Sequence, residues 1–309
     1  MKIHPGFVGI DVSKHHLDIF DPARGGERVP NAAGFAAELA ARFAATDSIV
    51  LFEATGLYDE ALRQALAAAG VTFSRVNPGR ARDFARAAGF LAKTDQVDAR
   101  MLAAMAQCLR PPSQAPADPQ RERLARLNKR RDQLVAMRQQ ERTRRRECCD
   151  AEIIADLDGH LACLDQAIAR LDRMIQQLIG EDAKLDRASR LLRSAPGIGP
   201  VTATTLIAML PELGSRSPKS IAALAGLAPL NVDSGQFRGK RPVRGGRKRV
   251  RDALYMAAVS AARSKSRFGA FYKALRNAGK PPKLALIALA RKLLVSLNAI
   301  LRDQTPFHA

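Results

Sequence analysis

Apolar and polar residues alternate in two short stretches near the start of the chain, residues 6–12 (GFVGIDV) and 16–20 (HLDIF). A period of two sends successive side chains to opposite faces, so the pattern predicts two strands joined by a turn at Ser13 to His15. A third short strand is expected near 27–30. A helix at about 32–45 follows, then a strand at 48–53 (SIVLFE), a helix at about 57–69 stopped by Gly70, and a strand at 71–76 (VTFSRV). Beyond the Pro78–Gly79 turn a helix runs through RARDFARAA, and Thr94 caps another that begins at Asp95. A strand meander followed by alternating helices and strands predicts a mixed α/β sheet over residues 1–110.

The stretch PPSQAPADPQ at 111–120 is proline-rich and reads as an extended linker. No strand pattern follows it. Over 121–184 the chain reads as a basic helical, coiled-coil-like segment. There Leu157, Leu161, Leu164, Ile168, Leu171, Ile175 and Leu178 alternate in steps of four and three, an apolar seam of period 3.5. The helix before it has a weaker seam, with Leu124 and Leu127 followed by Arg131 and then Leu134. A monomeric helical hairpin and a pair of self-associating helices both satisfy this pattern. Residues 185–309 read as an all-helical third region. Its PGIGP turn has the form of a helix-hairpin-helix turn, in which the backbone at Gly197 and Gly199 approaches a phosphate; a plain glycine-rich turn uses the same letters. A short helix at about 218–226 leads into the loop GLAPLNVDSGQFRGKRPVRGGRKRV, long enough to be functional or disordered. Helices at about 250–265, 268–277 and 282–301 close the chain, the last apolar on most faces and so a core helix.

Composition adds a partner. Fifty Lys and Arg against 30 Asp and Glu give a formal charge of +20 and a pI near 10.7, a balance suited to binding a polyanion. The charge is concentrated. Residues 121–147 carry eleven basic residues and four acids, and residues 238–251 carry eight basic residues and no acid. Two such stripes predict two nucleic-acid surfaces with salt-dependent binding. Trp is absent and aromatics are 5%, which argues against base stacking as the main binding mode. Hydrophobic content of 47% excludes a disordered chain. Cys108, Cys148, Cys149 and Cys163 fit neither a zinc site nor a disulfide framework, which points to a reducing cytoplasm. The opening MKIHPGFVGIDVS runs into a strand rather than a signal peptide, and no run of 18 uninterrupted apolar residues exists, so no membrane span is expected.

The candidate chemistry lies in four acids. Asp95 and Asp98 fall three apart in the first turn of their helix and share a face. Asp11 lies in the first strand and Glu53 ends another. Carboxylates converging at a sheet edge suit a hard cation, and Mg²⁺ suits phosphodiester chemistry because it offsets charge on the attacking and leaving oxygens. The order and spacing of these acids follow the layout of a ribonuclease H-like nuclease fold, by analogy. Lys14 and Lys93 stand beside the acids and are candidate phosphate contacts. Arg238, Lys240, Arg241, Arg244, Arg247, Lys248 and Arg249 are candidate nucleic-acid contacts in the second stripe. Ser234 lies just before that stripe, though Asp-Ser-Gly is also an ordinary turn sequence.

Taken together and in order, GIDVSK, FEATG, KTDQVDAR, PGIGPVTA, GLAP…DSG, RGGR with VRDALYMAA, and FYKALRNAGKPPKLALIALARKLL span nearly the whole chain. In these motifs the sequence resembles the DEDD-type insertion-sequence transposases that carry a RuvC-like nuclease domain and use a structured bridge RNA. The resemblance implies that Asp11, Glu53, Asp95 and Asp98 bind Mg²⁺ in a RuvC-like domain. It implies that Ser234 is the nucleophile of the C-terminal domain and forms a phosphoserine link to DNA. It further implies donor and target DNA as substrates, a guide RNA, a homo-oligomer (dimer or tetramer) with composite active sites, and a prokaryotic cytoplasm at the nucleoid. Two other readings keep the acids and drop parts of this scheme. One is a RuvC-like structure-specific endonuclease that hydrolyses DNA with metal and water. The other is a basic nucleic-acid-binding regulator that does no chemistry.

Overall fold

The computed structural model describes residues 2–54, 56, 58–90, 92, 94–113, 118–229, 233, 234, 237–239 and 241–308. The chain divides into two units, Met1–Ala117 and Asp118–Ala309. The break falls inside the proline-rich stretch.

The first unit is a mixed sheet with helices on both faces. Its strands are β1 (Phe7–Val12), β2 (His16–Asp21), β3 (Gly25–Pro30), β4 (Ile49–Glu53) and β5 (Thr72–Val76). The order is β3-β2-β1-β4-β5, with β1–β2 and β2–β3 antiparallel and β1–β4 and β4–β5 parallel. Alternation in β1 explains the layering. Val8, Ile10 and Val12 point to one face, where they pack with Leu39 and Phe43 of α1 (Ala33–Ala45) and Leu62 and Leu66 of α2 (Glu60–Ala68). On the other face Leu51 and Val76 pack with Ala81 of α3 (Pro78–Ala87) and with Met101, Leu102 and Met105 of α4 (Asp95–Leu109). Gly9 belongs to this second face. A Cβ there would stand 2.0 Å from the Ala99 carbonyl oxygen and 2.4 Å from the Ala103 nitrogen, so only glycine lets α4 lie this close to β1. Thr94 caps α4 as expected: its Oγ1 accepts from the Val97 N–H at 3.3 Å.

The second unit begins with a helical hairpin, α5 (Pro119–Glu147) and α6 (Ala151–Glu181). Asp118 caps α5, accepting from the Gln120 N–H at 3.0 Å with Pro119 in the first turn, so the helix starts two residues before the expected helical segment at 121. In α6, Leu157, Leu164, Ile168, Ile175 and Leu178 are buried. The facing seam of α5 is interrupted by arginines, and the interruptions are paired: Arg131 with Asp172 and Arg138 with Asp165 at 2.5 Å, and Arg145 with Asp158. The rungs recur every seven residues along both helices. They commit three arginines of the first basic stripe to carboxylates within the chain.

The remaining helices are α7 (Ala183–Arg193), α8 (Pro200–Met209), α9 (Pro218–Leu224), α10 (Lys248–Ala261), α11 (Arg267–Asn277) and α12 (Pro282–Asp303). Leu289, Leu293, Leu294 and Leu297 of α12 share one core with Leu254 of α10, Leu206 of α8, Ile175 and Leu178 of α6, and Leu124 of α5. By length and hydropathy α12 matches a membrane span, but its apolar face is this core. One expectation needs correction: the C-terminal region is not all helical. Within the long loop, β6 (Asp233–Ser234) pairs antiparallel with β7 (Phe237–Arg238), and an isolated bridge joins Pro229 to Val243. The segment has too few apolar positions for strand alternation to show, so only a fixed hairpin base reveals it.

Candidate active site

Strand register assembles the acids. In the β1–β2 pair Asp11 stands opposite Asp18, and in the β2–β3 pair Asp18 stands opposite Arg28. Asp11, Asp18 and Arg28 therefore form one row across three strands, on the face covered by α4. The parallel β1–β4 pair aligns Ile10 with Phe52, which sets Glu53 one step on, beside Asp11. Asp95 and Asp98 enter from the first turn of α4, where the helix N-terminus favours negative charge.

The electrostatics of Asp11 agree with this register. The Asp11 carboxyl is pushed up from 3.8 to about 6, first by burial and then by the charges of Asp98, Asp95, Glu53 and Asp18. The charges of four other carboxylates thus act together on Asp11. Their hard oxygen donors fit Mg²⁺. Among the described residues no three acids stand at ligand spacing. The Oδ2 of Asp95 accepts from Arg28 Nη2 at 2.7 Å.

The raised Asp11 has a pH consequence with a definite sign. In the metal-free fold the ionised carboxylate is disfavoured, so Asp11 burdens the fold least below the usual aspartate range and fully once pH rises through about 6. A metal ligand must be ionised. Loading with a divalent ion is expected to release close to one proton per site near about pH 5 and almost none near about pH 8. Calorimetric titration in two buffers of different ionisation enthalpy reads this directly. Equal proton release at both pH values would remove Asp11 from the ligand set.

Of the neighbouring lysines, Lys14 is exposed in the turn between β1 and β2, and Lys93 lies outside the described residues. Asp18 and Arg28 belong to no motif of the sequence. A signal existed for Asp18. Leu17 and Ile19 face the core, so Asp18 must face the other way, and a turn at 13–15 that pairs Val12 with Leu17 sets Asp11 opposite Asp18.

In the second unit Ser234 lies in β6, its backbone opposite Phe237. The base of this loop is a tight glycine junction. Gly226 (φ +69°) and Gly246 (φ +63°) pack backbone to backbone; a Cβ on Gly246 would stand 2.2 Å from the Gly226 nitrogen. Arg251 Nη1 donates to the Gly245 carbonyl at 2.6 Å, and Arg247 holds Glu212 with two hydrogen bonds of 2.5 and 2.7 Å. Burial alone would raise Glu212, but hydrogen bonds from Arg247 prevail and hold its carboxyl below the usual range. Arg249 pairs with Asp132, and Lys248 with Asp252 at 2.6 Å; both basic residues lie in the first turn of α10. Arg244 is exposed, Arg238 is placed by its backbone in β7, Arg241 is exposed, and Lys240 lies outside the described residues. Gly197 (φ +85°) brings its turn against α10, where a Cβ would meet the Ala257 carbonyl oxygen at 2.4 Å. Gly199 caps α8 with open space around it.

The comparisons with known proteins agree across both units. Residues 8–153 match the DEDD transposases of the IS110 type, described as "Transposase", and residues 189–273 match the "Transposase IS116/IS110/IS902 family". The chain belongs to this family of insertion-element DEDD transposases, which are DNA-processing enzymes. Pilin gene-inverting proteins of Moraxella lacunata and Moraxella bovis are each 33% identical to it over 262 residues, 84% of this chain and 81% of theirs. A 44.8 kDa protein of insertion element IS116 from Streptomyces clavuligerus is 35% identical over 159 residues, 50% of this chain and 39% of its own length.

Proposed function

We propose that the protein is an RNA-guided DNA transposase or recombinase that cuts and rejoins strands through a phosphoserine intermediate. The observation that carries the reading is the convergence of Asp11, Glu53, Asp95 and Asp98 on one sheet face in a chain of this family. The strand order β3-β2-β1-β4-β5 with the acids at its α4 face supports a RuvC-like, ribonuclease H-like first unit. The α7–α8 turn with Gly199 at the helix start supports a helix-hairpin-helix contact to phosphate. The gene-inverting relatives support DNA inversion or transposition as the outcome.

In this scheme the four acids would hold Mg²⁺, which would supply positive charge that offsets charge on the attacking and leaving oxygens. Ser234 Oγ attacks phosphorus; the Ser–O–P bond forms and the P–O3′ bond breaks. The proton lost by Ser234 ends on the departing 3′ oxygen. The freed 3′-hydroxyl then attacks the phosphoserine of the partner strand, which restores Ser234 and joins the strands without net hydrolysis. Exposed arginines such as Arg244 hold neighbouring phosphates. A guide RNA selects donor and target by base pairing, and a homo-oligomer brings both DNAs together.

A trapping assay tests this. Protein, Mg²⁺, element-derived RNA and labelled donor and target DNA are combined and separated under denaturing conditions beside Ser234→Ala. A protein–DNA adduct that disappears with Ser234→Ala is the expected result. Cleaved DNA without an adduct, equal in both proteins, would transfer the activity to hydrolysis by the four acids.

A further inference from the structure

We propose that Arg28 is an internal counter-cation that competes with a divalent metal ion for Asp95. The inference rests on the metal reading of the four acids. Arg28 Nε and Nη2 hold the two carboxylate oxygens of Asp18 at 2.8 and 3.0 Å, and the same Nη2 reaches Asp95 Oδ2 at 2.7 Å. The two contacts differ in setting. The Asp18 side chain is 3% exposed and that of Asp95 is 58% exposed. Breaking the first contact strands a buried carboxylate, whereas breaking the second leaves a carboxylate that water solvates. Arg28 is therefore anchored on Asp18 and releases Asp95 first.

The surroundings suit such an exchange. A cleft of about 430 Å³ lined by Arg28, Thr94, Asp95 and Gln96 opens beside the pair, so a hydrated cation reaches Asp95 without disturbing the core. Asp95 shares the first turn of α4 with Asp98, whose charge acts on Asp11. Released from Arg28, Asp95 rejoins that group. The arginine thus offsets the acid row in the metal-free fold, and it occupies the one acid whose exposure makes it exchangeable.

The test is Mn²⁺ binding to the full-length, DNA-free protein, followed as loss of the free-ion paramagnetic resonance signal with Mg²⁺ as competitor. Arg28→Gln is expected to tighten Mn²⁺ binding about three- to tenfold. Removing any nearby positive charge has some effect of this kind, so the double substitution Asp18→Asn, Arg28→Gln is the deciding variant. It leaves the local charge unchanged, strands no buried carboxylate, and is expected to retain at least about a threefold gain. Asp18→Asn alone leaves Arg28 with Asp95 as its remaining partner and is expected to weaken binding. Melting curves establish that each variant is folded. Mn²⁺ bound equally by the double variant and the unsubstituted protein overturns the role of Arg28 and leaves the four-acid site standing. Mn²⁺ bound by none of them overturns the four-acid reading, and the Arg28 proposal falls with it.

Discussion

Asp11→Asn is expected to lower strand cleavage by about a thousandfold or more, about 4 kcal/mol of transition-state stabilisation, while DNA binding stays within about twofold. Asparagine matches the shape of aspartate and keeps its place in β1, so the sheet and the approach of α4 are preserved. What changes is the charge. Burial and the charges of Asp98, Asp95, Glu53 and Asp18 all act on Asp11. An amide there removes an anionic donor from the set and also relieves the repulsion among the remaining acids. Fold stability of Asp11→Asn should therefore equal or exceed that of the unsubstituted protein, which separates lost chemistry from lost structure. Cleavage rates under single turnover, with gel-shift affinities alongside, measure both effects. A variant that cuts at the unsubstituted rate would detach the acids from the reaction.

Asp59→Ala is expected to destabilise the first unit by about 3–5 kcal/mol. Asp59 precedes α2 and is fully buried; its Oδ1 accepts from Arg63 Nε at 3.1 Å and its Oδ2 from Arg75 Nε at 2.8 Å. Arg63 lies one turn along α2 and Arg75 lies in β5, so a single carboxylate ties helix to strand. Alanine removes the carboxylate that Arg63 and Arg75 share and opens a polar cavity beneath α2. Urea unfolding with a signal from this unit gives the size of the effect. Hydrogen exchange should place the loosening in α2 and β5. A loss below about 1 kcal/mol would mean that the arginines find other partners or water.

The sequence made the sheet legible because its central strands are short apolar runs buried on both faces. FVGIDV and HLDIF are broken by few polar residues, and Thr94, Pro78 and Gly70 punctuate the helices. The four acids were legible for a related reason: strands and a capped helix fix their directions. Asp18 and Arg28 were harder, since each looks like an ordinary strand-surface charge until register aligns it with Asp11. Gly9 carries no periodic signal, because its role is an absent Cβ under α4. Charge density marks the basic stripes as surfaces for a polyanion. Density does not reveal that Arg131, Arg138, Arg145, Arg247 and Arg249 face carboxylates far away in sequence. The small β6–β7 pair was illegible because two-residue strands have no period.

The hairpin of α5 and α6 behaves like a slide rule. Its Arg–Asp rungs are evenly spaced, so displacing one arm by a heptad would bring Arg138 to Asp172 and Arg145 to Asp165, keeping two matches of three. The rungs on their own thus favour several alignments almost equally. What selects one is the closed end, where only Cys148 to Asp150 separate the helices, together with the apolar contact among Leu134, Leu164 and Ile168. Lengthening that connection by seven residues would convert a single alignment into a choice, and the reach of the arm would become a variable rather than a constant.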